Sequence, residues 1–324
     1  MTTYKEIKGQ LIRKVSSDPD NPQIGQIWYN TTIGSLKGYV TVASAWASGG
    51  NLGTGRWGMG GAGTQTAGLA YGGFTPPNTA NTEEYNGSSW SEQNNLSTAR
   101  RQLALGTIGT QTAAIGAGGY AGTQTNATEE YGGTSWTSGG NLGSSKAALA
   151  AAGTQTAGLV FGGSNPPTTT TADTEEYDGT SWSEQNNLSS GRTEFTGMGI
   201  QTAALTAGGQ PGGPPTADIN TTEEYDGTSW TSGGNINTAR SKLGSSGTQT
   251  AGLIFGGTAS NTSTEEYDGS SWTVSAGTLS NGRNLTAGAG TQTAGLCFGG
   301  NGPYLAATEE YTRQFNAARK VTTS

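Results

Sequence analysis

The 324-residue chain contains no histidine and a single cysteine. Without histidine, the usual base that activates a serine, threonine or cysteine nucleophile is missing, and one thiol can build neither an internal disulfide nor a Cys/His zinc site. Cys297 falls where other repeats of the chain carry Ala70, Val160, Thr206 and Ile254, so it reads as a small buried side chain. No apolar run approaches the roughly 20 residues of a membrane span, and the opening residues Met-Thr-Thr-Tyr-Lys-Glu-Ile-Lys lack the apolar stretch of an export signal. Hydrophobic residues make up only 31% of the chain while glycine contributes 56 positions, a composition poor for helices and suited to short strands joined by tight turns.

Basic charge is also scarce where nucleic acid would need it. Residues 43–312 hold 8 basic and 20 acidic side chains, against 5 and 3 in residues 1–42 and 3 and 0 in residues 313–324. An acidic body with scattered cations offers no groove for a phosphate backbone, so no nucleic-acid partner is expected.

What the chain does have is a repeat. Thr-Glu-Glu-Tyr occurs six times, ending at Tyr85, Tyr131, Tyr177, Tyr225, Tyr267 and Tyr311, each time downstream of a Gly-Gly pair. Trp90, Trp136, Trp182, Trp230 and Trp272 follow the first five by five residues, the sixth has none, and an unattached Trp46 precedes the first. Each repeat reads as four strands. A basic residue leads into a small-residue strand, such as Arg101 to Gly109 in the second repeat; a Thr-Gln-Thr turn follows, as at Gln65 and Gln111. The second strand alternates large and small side chains up to Gly-Gly. Thr-Glu-Glu-Tyr forms the third, and an Asp-Gly-type turn leads to the Trp strand. A period near 45 residues fits four-stranded sheets packed radially, with the small-residue strand innermost.

Basic residue, small-apolar strand, Gly-Gly, Glu-x-Tyr and Trp, in this order over residues 44–312, resemble the kelch repeat of β-propellers. Lys146 replaces the arginine in one repeat, and the second glutamate stands where kelch repeats place an apolar residue. The resemblance implies an all-β fold: a six-bladed propeller over residues 43–312, with its last blade completed by the strand around Trp46 beside Tyr311. Residues 1–42 are then an attachment segment containing a hairpin across Thr31 to Ser35, and residues 313–324 a tail. Gly25-Gln-Ile-Trp-Tyr-Asn-Thr-Thr-x-Gly-x-Leu-Lys resembles segments of structural and tail proteins of tailed bacteriophages.

Paired carboxylates invite catalytic or metal readings, but six identical pairs directed into six separate interfaces do not converge. They are expected instead to accept hydrogen bonds, with Arg56, Arg100 or Arg101, Lys146, Arg192, Arg240 and Arg283 as counter-ions for the first glutamate. The Gly-Gly pairs precede no helix and no Gly-Lys-Ser/Thr, so they are strand ends, not a phosphate loop. Function is expected in the variable loops between Gly-Gly and Thr-Glu-Glu-Tyr, where Phe74, Pro76, Pro77, Tyr120, Pro166, Pro167, Asn301 and Tyr304 are candidate contacts; Trp28 and Tyr29 are candidate docking residues. The expected protein is non-enzymatic and cofactor-free: a phage virion component, tail- or fibre-associated, bound to other virion proteins through its N-terminal segment and to a host glycan or protein through the loops. Capsid decoration, a propeller enzyme acting on glycans and an intracellular peptide-binding scaffold are the alternatives, and self-association is left open.

Overall fold

Strands this short, separated by glycine-bearing turns, satisfy their backbone groups only by pairing with neighbours. The structure, a computed structural model, describes residues 12–166, 169–212, 217–258 and 261–321. Those residues are all-β, with 33 strands and no helix. The chain divides into two compact units: Ala45–Thr312, and a smaller one formed by Met1–Ser44 together with Arg313–Ser324.

In the larger unit each repeat is an antiparallel set of four strands. In the first these are Gly60–Thr64, Ala67–Tyr71, Thr82–Tyr85 and Trp90–Gln93. In the sixth they are Ala287–Gly290, Gly295–Phe298 and Thr308–Thr312, and the fourth place is taken by Ala45–Ser48 from the other end of the unit, with Trp46 opposite Tyr311. The first strands touch one another in a closed cycle through all six repeats. An Asp or Asn side chain fixes the turn before each of several Trp strands; Asp178 Oδ1, for example, accepts the N–H groups of Thr180 and Ser181, both at 2.8 Å.

Three side-chain cycles join each repeat to the one before it. Every Thr-Glu-Glu-Tyr tyrosine donates its hydroxyl to the second glutamate of the preceding repeat, as Tyr131 does to Glu84 (2.9 Å), and Tyr85 closes the cycle on Glu310 (2.7 Å). Each Trp Nε1 donates to the preceding repeat's Thr-Glu-Glu-Tyr threonine, with Trp136 to Thr82 and Trp90 to Thr308 both at 2.9 Å. The glutamine of each Thr-Gln-Thr turn, or of Ile200-Gln201-Thr202, reaches two backbone carbonyls of the preceding repeat, as Gln111 does to Gly68 and Tyr85. These glutamines are therefore clasps as well as turn residues. The alternation of large and small residues on the second strand follows from the same packing: Tyr71, Phe161, Phe255 and Phe298 each meet the next repeat's Trp at 4.7–5.0 Å between ring centres, whereas Ala117 and Ala207 offer no ring.

The first glutamate of each motif is buried against its own repeat's basic residue, and in the second repeat the partner is Arg100, not Arg101. Its other oxygen accepts a backbone N–H, from Gly53, Ser97, Gly143, Ser189, Asn237 or Ser280. Burial pushes the guanidinium pKa of Arg56, Arg100, Arg192 and Arg240 down, and the adjacent glutamate opposes the shift.

The second repeat departs from the expected continuous first strand. Nine positions separate Arg56 from Gln65, but eleven separate Arg100 from Gln111, and the two additional residues break the strand into Leu105–Gly106 and Gly109–Thr110. Leu105–Gly106 pairs in parallel with Ala150–Ala151 on one side and with Gly197 on the other, so two four-stranded sets merge into one curled nine-stranded sheet. It also touches the first strands of the first, fifth and sixth repeats, which places it on the axis that all six surround. Gly106 is required there: at φ +130 it lies where a Cβ would come within 2.3 Å of the Ala151 carbonyl oxygen.

The smaller unit is one sheet, ordered Arg13–Val15, Ile27–Asn30, Ser35–Val42 and Phe315–Lys320. The segment expected as a free C-terminal tail is thus its fourth strand, paired along Lys37–Val42, because a two-stranded hairpin alone buries too little. Trp28 is fully buried and donates to Asp18, which also accepts from Asn30 and Lys37; Trp28 therefore presents no surface for docking, while Tyr29 remains partly exposed. Among the described residues, the large apolar side chains this unit exposes are Ile12, Ile24, Ile33, Val40 and Phe315.

Two outcomes follow for stability. Trp46 packs on both Phe255 and Tyr311 and joins the ends of the larger unit, whereas Trp182 meets only Tyr177 among the aromatic rings of the described residues. Trp46→Ala should therefore cost about 1–2 kcal/mol more than Trp182→Ala in denaturant titrations, and equal losses would show that closure adds nothing. Burial, then the glutamate hydrogen bond, pushes the Tyr85, Tyr177 and Tyr267 hydroxyls from 10.0 to about 12. An unfolded tyrosine ionises near about 10, so the stability these neutral hydroxyls confer is complete below that pH and is lost as pH climbs towards 12. Melting temperature should hold to about pH 10 and fall steeply above it, with the phenolate absorbance of these three buried hydroxyls appearing together with unfolding and not before it.

Candidate binding site on the Gly-Gly loops

Beyond each Gly-Gly the chain leaves the repeated ladder, and one residue there pairs with the residue that follows the buried basic side chain. The pairs are Trp57 with Phe74, Arg101 with Tyr120, Ala147 with Ser164, Thr193 with Gln210, Ser241 with Thr258, and Asn284 with Asn301. The ladder itself is nearly invariant; this ring of pairs is not.

The next residue inward is left-handed in every repeat: Gly58, Gln102, Ala148, Glu194, Lys242 and Leu285, with φ between 51° and 63°. Each donates its N–H to the carbonyl of the equivalent residue in the preceding repeat, from Gln102 to Gly58 (2.6 Å) round to Gly58 to Leu285 (2.9 Å), making a fourth closed cycle. Five of the six are not glycine, so the bond cycle holds a conformation that costs an L-residue on the order of 1–2 kcal/mol. Their side chains meet as well: Glu194 takes Lys242 at 3.2 Å and Gln102 at 3.4 Å.

Outside this collar lies a cluster found in only one sector. Arg101 stacks its guanidinium between Phe74 and Tyr120, with Cζ 4.7 and 4.6 Å from the ring centres and 5.5 Å from that of Trp57. Asn78 accepts from Arg101 Nη1 at 2.9 Å and donates to the Tyr120 carbonyl at 2.8 Å, locking the first repeat's loop to the second's. Trp57 packs on Phe74 at 5.1 Å, and Tyr304 of the sixth repeat approaches Phe74 at 6.2 Å. Tyr304 is itself left-handed, at φ 51°, and Gly55 makes room for its carbonyl.

Of the residues expected to make contacts, Phe74, Tyr120 and Tyr304 are brought together. Pro76 and Pro77 are exposed in the same loop as Phe74 and are joined by a cis bond. Asn301 is exposed beside the cluster's Tyr304 loop and bridges to Asn284; Pro166 is exposed on the third repeat, away from the cluster, and Pro167 lies outside the described residues. Trp57, Arg101 and Asn78 were not anticipated. The doublet Arg100-Arg101 carried the signal, since one arginine suffices for the buried pair.

Of the unrepeated carboxylates, Asp218 accepts from Gln210 and Thr258, whereas Asp173 and Glu184 line one pocket of the third repeat with Gly143, Ser144, Glu175 and Trp182, where Lys146 stands 2.7 Å from Glu175 and 3.6 Å from Asp173. Among the described residues no group of His, Cys, Asp or Glu has the arrangement of a metal site. No family model matches the chain, and no curated protein matches it significantly.

The left-handed collar yields a direct check. Ala148 is buried at φ 52°, so Ala148→Gly should stabilise the protein by about 1 kcal/mol or leave it unchanged in urea titrations, although glycine normally weakens ordered structure. A clear loss of stability would show that the collar is unstrained.

Proposed function

We propose that Ala45–Thr312 is a six-bladed β-propeller of the kelch type and that the protein is a non-enzymatic component of a bacteriophage virion, tail- or fibre-associated. In this reading the smaller unit is the attachment module and the Gly-Gly loops form the binding head. The closed cycle of first strands and the sixth set completed by Ala45–Ser48 support the propeller. The observation that carries the function is where symmetry fails. Repeated polar groups are consumed in bonds between and within repeats, while unrepeated aromatic and charged side chains concentrate at one end. A rigid frame with variable loops at one end is an arrangement suited to recognition, and its repeated carboxylates, each already hydrogen-bonded, are not free for acid–base chemistry.

Attachment by the smaller unit is supported by the resemblance of residues 25–37 to phage structural segments and by its exposed Ile24, Ile33 and Phe315. Because that unit contains both chain ends, a fair test changes its surface and leaves its strands in place. Ile24→Glu/Ile33→Glu/Phe315→Glu should melt like the parent protein yet be missing from purified particles by mass spectrometry, with the parent protein present. Absence of the parent chain from particles, or normal incorporation of the variant, would overturn the attachment reading.

A further inference from the structure

We propose that the Arg101 cluster is a binding site for an acidic saccharide, with the guanidinium holding a sugar carboxylate and the Phe74–Tyr304 surface holding the sugar ring. The assignment rests on the binding-head reading and names its ligand class.

The first observation is a charge without a counter-charge. The larger unit has eight basic residues, and seven of them, Arg56, Arg100, Lys146, Arg192, Arg240, Lys242 and Arg283, form ion pairs. Arg101 forms none with the described residues, in a unit where carboxylates outnumber cations 20 to 8. Its Nε is buried without a hydrogen-bond partner, as are those of Arg56, Arg100, Arg192 and Arg240, so what sets Arg101 apart is the missing carboxylate. Holding an arginine half-buried without an anion is costly, and cation–π contact offsets only part of that cost, so an arriving anion gains what the protein leaves unmet.

The second observation is geometry. Rings on both faces and Asn78 at Nη1 fix the guanidinium plane. With Nε buried, what remains for a ligand is the outer end of the fork, where Nη2 has no partner among the described residues and can meet a carboxylate oxygen. The third is the neighbouring surface. Tyr304, 40% exposed and held by a left-handed backbone beside Phe74, and the exposed Pro76 and Pro77 offer rigid apolar faces with little side-chain entropy to lose. Flat rigid rings beside a carboxylate receptor suit the C–H face of a pyranose. An extended acidic peptide would call for a free sheet edge or a row of cations, and Arg101 stands alone.

Oligogalacturonate is a direct probe, titrated into the full-length protein and followed by calorimetry and tryptophan fluorescence. It should bind, and its fully methyl-esterified form, with the same rings but no carboxylate, should bind at least tenfold more weakly. Arg101→Lys, which keeps the charge but not the fork, should weaken binding about tenfold, and Arg101→Gln should abolish it. Because Arg101 also links two loops, Tyr304→Ala provides a second variant on an exposed side chain, expected to weaken binding about tenfold with an unchanged melting temperature. No binding of oligogalacturonate by the parent protein, unchanged affinity in the variants, or equal affinity for polyglutamate of the same charge would each overturn the assignment. None of these results would alter incorporation into particles, so the ligand and the attachment role fail separately.

Discussion

A tyrosine hydroxyl donating to a glutamate of the neighbouring repeat is the contact on which the larger unit depends. A single such bond is worth about 1–3 kcal/mol, but six of them in a cycle impose a condition that no linear array meets: the last donor must find the first acceptor. Tyr85 finds that acceptor in Glu310, on the strand that Ala45–Ser48 pairs with to complete the sixth repeat. The tryptophan and glutamine cycles obey the same condition, so the frame closes on all of them or on none.

That dependence explains the distribution of chemistry. A side chain that must recur six times to close a cycle is not free to specialise, and the two glutamates of each motif are committed in opposite directions, one to the repeat's own cation and one to a neighbour's phenol. Variation is tolerated only where no cycle passes through the side chain. The collar beyond Gly-Gly is closed through backbone atoms alone, which is why Gln102, Ala148, Glu194 and Lys242 can occupy equivalent places. The arginine cluster is built one residue away from that collar, on the first side chains released from the repeat.

The strand pattern was legible because Thr-Glu-Glu-Tyr, Gly-Gly and Trp recur at fixed offsets, and side-chain direction in a strand follows from register. Counter-ions for the first glutamate were legible as well, except that Arg100 and Arg101 could not be told apart without knowing which of them faces inward. Other features left weaker traces. The glutamine clasp looked like a turn residue because its partners are backbone carbonyls about 25 and 43 positions away, and backbone carries no sequence signal. Trp28 is buried with its indole on Asp18 and its strand between Arg13–Val15 and Ser35–Val42, and the pairing of Phe315–Lys320 joins the two ends of the chain; local pattern encodes neither. At the candidate site the aromatic loop residues could be read, but the arginine that stacks on two of them, Phe74 and Tyr120, could not.

The two additional residues of the second repeat bear on how such a molecule can change over generations. Leu105–Gly106 fills an axis whose width is set by six surrounding strands. A seventh repeat would widen that axis around a filler of unchanged size, and loss of one would leave it no room. Duplication and deletion, the easiest events in a repetitive gene, are thereby penalised by one short segment, which acts as a gauge of repeat number.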